Sequence, residues 1–331
     1  MSRQVKGVDM RLVHVAVTAA IVLSCAISES SGQTLPLGSS VQKSMGQYFS
    51  IGMKKYVNSF TSYQFPNPFP PAQDPLSRLE FPIDQWFVGA YSGYAAPGWT
   101  LTAQLWRSVT RESGLMMQDS DWDDETQPFQ KTIFSESRIR LNRGYLVDVG
   151  LDVVVPMIGT RSARPVFGCR YQYLDFTTHD GEQMTLDGDS VALPGDGIDF
   201  RQTFYHWYMG ACVSTGIDLR SLFGAPMPFV MLDLQLDYAL VTAKNEDLHL
   251  LRLGNRVTEE NTRGHCWHVA VGLGMFVSNT LTARLEADFK RLLTHGGHRL
   301  TNPFFDLDFS FNGSQVWSDQ ASISAVGEMR F

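Results

Sequence analysis

From Leu281 to Lys290 the chain alternates without exception: Leu281, Ala283, Leu285, Ala287 and Phe289 are apolar, and Thr282, Arg284, Glu286, Asp288 and Lys290 between them are polar. Successive side chains of a β-strand point to opposite faces, so this segment has one wholly apolar and one wholly polar face. Three more segments repeat the pattern. Leu232, Leu234, Leu236 and Tyr238 alternate with Asp233, Gln235 and Asp237, and Val147, Val149, Leu151 and Val153 alternate with Asp148, Gly150 and Asp152. Ile323, Ala325, Gly327, Met329 and Phe331 alternate with Ser322, Ser324, Glu328 and Arg330, and Val326 is the exception. A soluble sheet buries its apolar face and wets the other. Here the polar faces carry acids suited to a wet lumen, which turns the apolar faces outward to lipid and predicts an all-β transmembrane antiparallel barrel.

The N-terminus agrees with export. Arg3, Lys6 and Arg11 precede the apolar run Leu12 to Cys25, and small and polar residues follow, the order of a secretory signal peptide over residues 1–28 with the barrel in 29–331. Ala26-Ile27-Ser28 is the preferred cleavage signal, and Val22-Leu23-Ser24-Cys25 is an imperfect lipidation site that leaves Cys25 as the alternative. Removing that segment leaves 24 basic and 33 acidic residues, a balance that argues against nucleic-acid binding, which needs basic patches to neutralise phosphates. Cys169, Cys212 and Cys266 are odd in number and lack metal-type spacing, so they read as small wall residues rather than a disulfide framework or zinc site.

Weaker alternation elsewhere brings the expected total to about ten strands of about 9 to 11 residues each. The links then alternate in length. Ala95 to Gly98 and Ser278 to Thr280 are short, whereas 57–77, 111–132, 178–199, 242–263 and 293–319 are long, polar and expected to be extracellular loops. Two stretches in the second and fourth long segments carry chemistry. Asp119 and Asp121 share one face if extended, as do Asp247 and His249. A carboxylate beside a histidine fixes its tautomer and stabilises its charged form, making a general base for water. Alone, such an Asp-x-His is more often an exposed loop histidine. The acidic run from Asp119 to Glu125 could hold a proton, a water or a cation, yet it lacks the glycine-aided loop that calcium prefers. His265-Cys-Trp-His268 and His295-Gly-Gly-His298 have no third ligand nearby, so metal is a minority reading and none is assigned.

Taken together, Asp119-Ser120-Asp121-Trp122, Asp247-Leu248-His249 and the final strand from Ser318 to Phe331 resemble the omptin family of outer-membrane aspartyl endopeptidases. The resemblance implies a ten-stranded barrel rising above the outer membrane, with the two pairs facing each other across an extracellular groove. It implies hydrolysis of polypeptide substrates at the cell surface by water held between the pairs, with no cofactor and with lipopolysaccharide as a candidate activating lipid. His249 would be the base, Asp247 its orienting partner, and Asp119 and Asp121 would hold the water. Met117 matches a position lining the primary specificity pocket. Where relatives that cleave beside Lys or Arg carry acids, this chain has Asn245 and, as the nearest match, Ser62. The lipid-phosphate arginines of the family fall near Tyr173 and Thr203, with Arg170 and Arg201 close by. The alternative reading is an omptin-like barrel acting mainly as an adhesin, and a third is a passive channel.

Overall fold

Most described residues after position 45 are in strands. The computed structural model describes residues 46–153, 155–156, 162–218, 229–278 and 280–331, so the expected export segment 1–28 lies outside the described residues. In chain order the sheet segments are β1 (Gly46–Phe65), β2 (Ser77–Ile83), β3 (Trp86–Ala96), β4 (Trp99–Ser108), β5 (Met117–Asp121), β6 (Ile133–Val153) and β7 (Val155–Pro156). They continue as β8 (Ser162–Thr185), β9 (Ser190–Asp218), β10 (Phe229–His249), β11 (Arg256–Phe276), β12 (Leu281–Asn302) and β13 (Leu307–Arg330). All pairings are antiparallel. The ring runs β1, β3, β4, β6, β8 and on through β13, which pairs back onto β1 and closes a barrel of ten strands. Higher up, β2 and β5 fill the interval between β1 and β6, so two of the ten strands are each broken into a lower and an upper part.

The alternation seen in the sequence has the expected physical origin. In the lower half the outward side chains include Ile51, Leu101, Met209, Leu240, Leu285 and Ile323, all exposed on the barrel wall. Lipid covers such a wall, and aromatic residues flank it. Tyr94 packs on Trp99 near one edge, and Tyr238 packs edge-on to Trp267 near the other. Inward residues at the same level pair with each other. Lys54 stands 3.2 Å from Asp288, Arg170 bonds both Asp148 and Asp237, and His268 Nδ1 lies 2.7 Å from Asp237. Buried charges persist when each finds an opposite charge and hydrogen bonds, and these fill the lumen.

The strands are longer than expected. β10, β11 and β12 have 21, 21 and 22 residues, about twice the ~9 to 11 that cross a bilayer. The long segments expected to be extracellular loops are therefore mostly the upper halves of strands, joined by tight links such as residues 250–255 and the short 3-10 turn Pro303–Phe305. Above the membrane neither face meets lipid, so the alternation that marks a strand in sequence fades while the ladder continues. An aromatic layer closes the lumen there: Phe81 stacks on Phe200 at 4.0 Å, and Tyr63 and Phe176 stack beside them.

Candidate active site

The first wall of the site is β5. Strand alternation puts Met117, Asp119 and Asp121 on one face, and pairing to Leu79 and Ser77 of β2 and to Ser135 of β6 holds them there. Met117 is buried in the aromatic core, at the foot of the wall. Asp119 Oδ1 is buried without a hydrogen-bond partner. Burial raises the Asp119 carboxyl well above the ordinary range, and the charges of Asp121 and then Asp247 push it further, while Arg256 and Arg252 oppose. Burial also raises Asp121, against a hydrogen bond from Ser77. Both carboxyls of the pair are thus shifted toward the protonated form, Asp119 the more strongly because it is the more deeply buried.

The second wall is β10, where Asp247 and His249 share the inward face between β9 and β11. Asp247 is fully buried and accepts a hydrogen bond from Tyr63 Oη. Burial lifts its carboxyl to about 7 even though that hydrogen bond favours the charged form. His249 Nε2 stands 3.2 Å from Asp247 Oδ1 and 2.8 Å from an Arg256 guanidinium nitrogen. The Arg256 contact has hydrogen-bond geometry; Asp247 Oδ1 makes no hydrogen bond. Burial, then Arg256 and Arg252, hold His249 well below the usual imidazole range, so it is neutral at pH 7. The charge of Asp247 acts on Asp119, and both arginines act on residues of either wall, so the two pairs lie within electrostatic reach of each other.

The remaining sequence candidates lie below. Ser62 is buried on β1, and Asn245 is buried on β10, where its Oδ1 accepts from Gln202 at 3.1 Å. Directly across from Asn245 in the ladder is Glu260, fully buried and bonded to His298 at 2.8 Å. Sequence reasoning missed Glu260, Tyr63, Arg252 and Arg256. Counting back from the 250–255 turn would have put Glu260 opposite Asn245 and Arg256 opposite His249, whereas nothing local links Tyr63 to Asp247. Glu246, next to Asn245 in sequence, points outward and pairs with Arg201 at 2.8 Å, so it does not supply the acid that Asn245 lacks. Arg170 is corrected as a lipid-facing candidate, because two aspartates hold it inside the lumen. The paired histidines are likewise separated: three residues apart on a strand means opposite faces, so His268 faces inward to Asp237 while His265 stacks on Tyr238.

The family model of the omptins matches residues 74–324, a span that contains both walls. The chain belongs to the omptin family. As an omptin it is a bacterial outer-membrane protein of the protease class. The crystal structure of the outer membrane protease OmpT from Escherichia coli superposes with a TM-score of 0.75 at 15% identity, covering 91% of this chain and 99% of that one. That likeness establishes the ten-stranded fold. The translocator domain of the autotransporter NalP from Neisseria meningitidis aligns over 98% of this omptin and 99% of its own chain, with a TM-score of only 0.33 at 9% identity. No curated protein matches the sequence.

Proposed function

We propose that this omptin is a surface endopeptidase that hydrolyses peptide bonds with water activated by the Asp247-His249 dyad opposite Asp119 and Asp121. One observation carries the reading: a buried histidine stands 3.2 Å from a buried carboxylate, and the charge of that carboxylate acts on Asp119 of the other pair. His249 takes a proton from water, and the hydroxide adds to the scissile carbonyl carbon. Asp119 and Asp121 hold the water, and the upward shift of both carboxyls favours a proton on the pair that stabilises the developing oxyanion. As the tetrahedral intermediate collapses, the imidazolium returns its proton to the leaving amine. Burial serves this chemistry by strengthening each of these interactions.

Met117, Ser62 and Asn245 belong to the proposal as lining of the pocket for the residue preceding the cut. With neutral side chains at the last two, the electrostatic reason for a Lys or Arg preference is absent. Removal of residues 1–28, with the barrel in 29–331, and activation by lipopolysaccharide without any metal or organic cofactor complete the reading. A second reading, a barrel that chiefly binds, is favoured by one observation: Arg256 occupies the histidine nitrogen nearest Asp247. The deciding experiment incubates an unbiased peptide library with refolded protein, with and without lipopolysaccharide. Cutting that is lost in both His249→Ala and Asp119→Ala supports the endopeptidase; a well-folded wild type that cuts nothing under any lipid condition supports the binding barrel.

A further inference from the structure

We infer that Arg252 and Arg256 form a subsite for an acidic side chain of the polypeptide substrate, and that filling this subsite draws Arg256 away from His249 Nε2. The inference rests on the endopeptidase reading and names the substrate class of that same site.

The arginines are placed and unpaired. Arg256 sits directly across from His249 in the β10–β11 ladder. Arg252 lies in the turn above, where Asn302 Nδ2 holds the carbonyl of Leu253 at 2.9 Å. Neither guanidinium forms an ion pair among the described residues, and Arg256 Nε is buried with no hydrogen-bond partner. A guanidinium offers five donors in a fork that matches a carboxylate, so the pair presents donors that no acid among the described residues engages in an ion pair. Below the cleft, Glu260 opposite Asn245 has its Oε1 engaged by His298.

The bond from Arg256 to His249 gives the subsite a consequence for chemistry. A neutral imidazole that accepts at Nε2 carries its proton on Nδ1, so neither nitrogen has a free lone pair for water. In that tautomer Nε2 has no N–H to donate, so Asp247 Oδ1 stands 3.2 Å away without a hydrogen bond. A substrate carboxylate competes for Arg256 more strongly than a neutral nitrogen does, since hydrogen bonds between ionised groups are roughly twice as strong. Its arrival frees the ring for water and for Asp247. The competing explanation is that the two arginines only offset the charge of Asp119 and Asp121.

The test compares matched peptides carrying Asp or Glu, Asn or Gln, or Lys at each position flanking the cut. Values of kcat/KM are measured for wild type, Arg252→Glu and Arg256→Gln, with circular dichroism reporting barrel integrity. Wild type is expected to favour the acidic residue at one fixed position by roughly tenfold or more over its amide. Arg252→Glu should shift the preference toward Lys, and Arg256→Gln should narrow the acid-to-amide ratio. Cutting with no acid preference, or equal loss on all peptides in both variants, overturns the subsite and leaves the endopeptidase standing. Binding of labelled acidic and amide peptides to the His249→Ala protein gives a separate readout. Preferential acid binding there, with no cutting by wild type, retains the subsite and rejects the endopeptidase; no preference there rejects the subsite.

Discussion

Asp247 depends on a residue 184 positions away. Its Oδ2 is satisfied by Tyr63 Oη, which lies in the aromatic layer under the cleft. Tyr63→Phe removes that donor and leaves a buried carboxylate short of a partner, at a cost of about 1–3 kcal/mol. Thermal unfolding should show a lowered midpoint, and kcat/KM should fall as the dyad loses its anchor. The same carboxyl titrates at about 7 in the fold against an ordinary value of 3.8. Between these values the folded state binds the extra proton, so this group's stabilising contribution is complete below the ordinary value and is lost as pH rises through about 7. Asp247→Asn removes the dependence. Relative to wild type, the variant's melting temperature should therefore improve on going from pH 5 to pH 8.5. His249 has the opposite sign: its folded value is depressed, so its contribution is complete above 6.5 and is lost as pH falls.

At the scale of elements, the β10–β11 hairpin carries most of the site. It delivers Asp247, His249, Arg252 and Arg256, and its turn depends on Gly254, whose φ of +82° suits glycine. A Cβ at Gly254 would collide with Asn302 and Phe304. Gly254→Ala should thus displace Arg252 and lower kcat/KM by about tenfold while leaving the barrel's circular dichroism unchanged. The hairpin also shows what could be read from sequence. Asp247 and His249 were legible because two-residue spacing alone puts them on one face, and so were Asp119 and Asp121. The lower strands were legible because lipid imposes strict alternation on Leu281 to Lys290. The upper strands looked like loops, since residues such as Thr258, Glu260 and Thr262 face a polar interior while Glu259 and Asn261 face water. Tyr63 and Arg256 were illegible because their roles arise from barrel closure and ladder register, which no local pattern encodes.

For the whole molecule, the interior at membrane level is a set of paired charges capped by stacked rings. The expected conductance in planar bilayers is near zero, and a steady open current would contradict this packing. Breaking one pair tests the plug: Asp288→Asn leaves Lys54 buried without its carboxylate, and should lower the denaturant midpoint by more than an outward change such as Leu285→Ala. The filled interior also sets where the protein can act. It joins no two compartments, so the intact polypeptide and both of its fragments must arrive and depart through the same opening. Under the proposed function, turnover then answers to conditions on that side of the membrane, its salt and its acidity, and draws on no ion gradient across it.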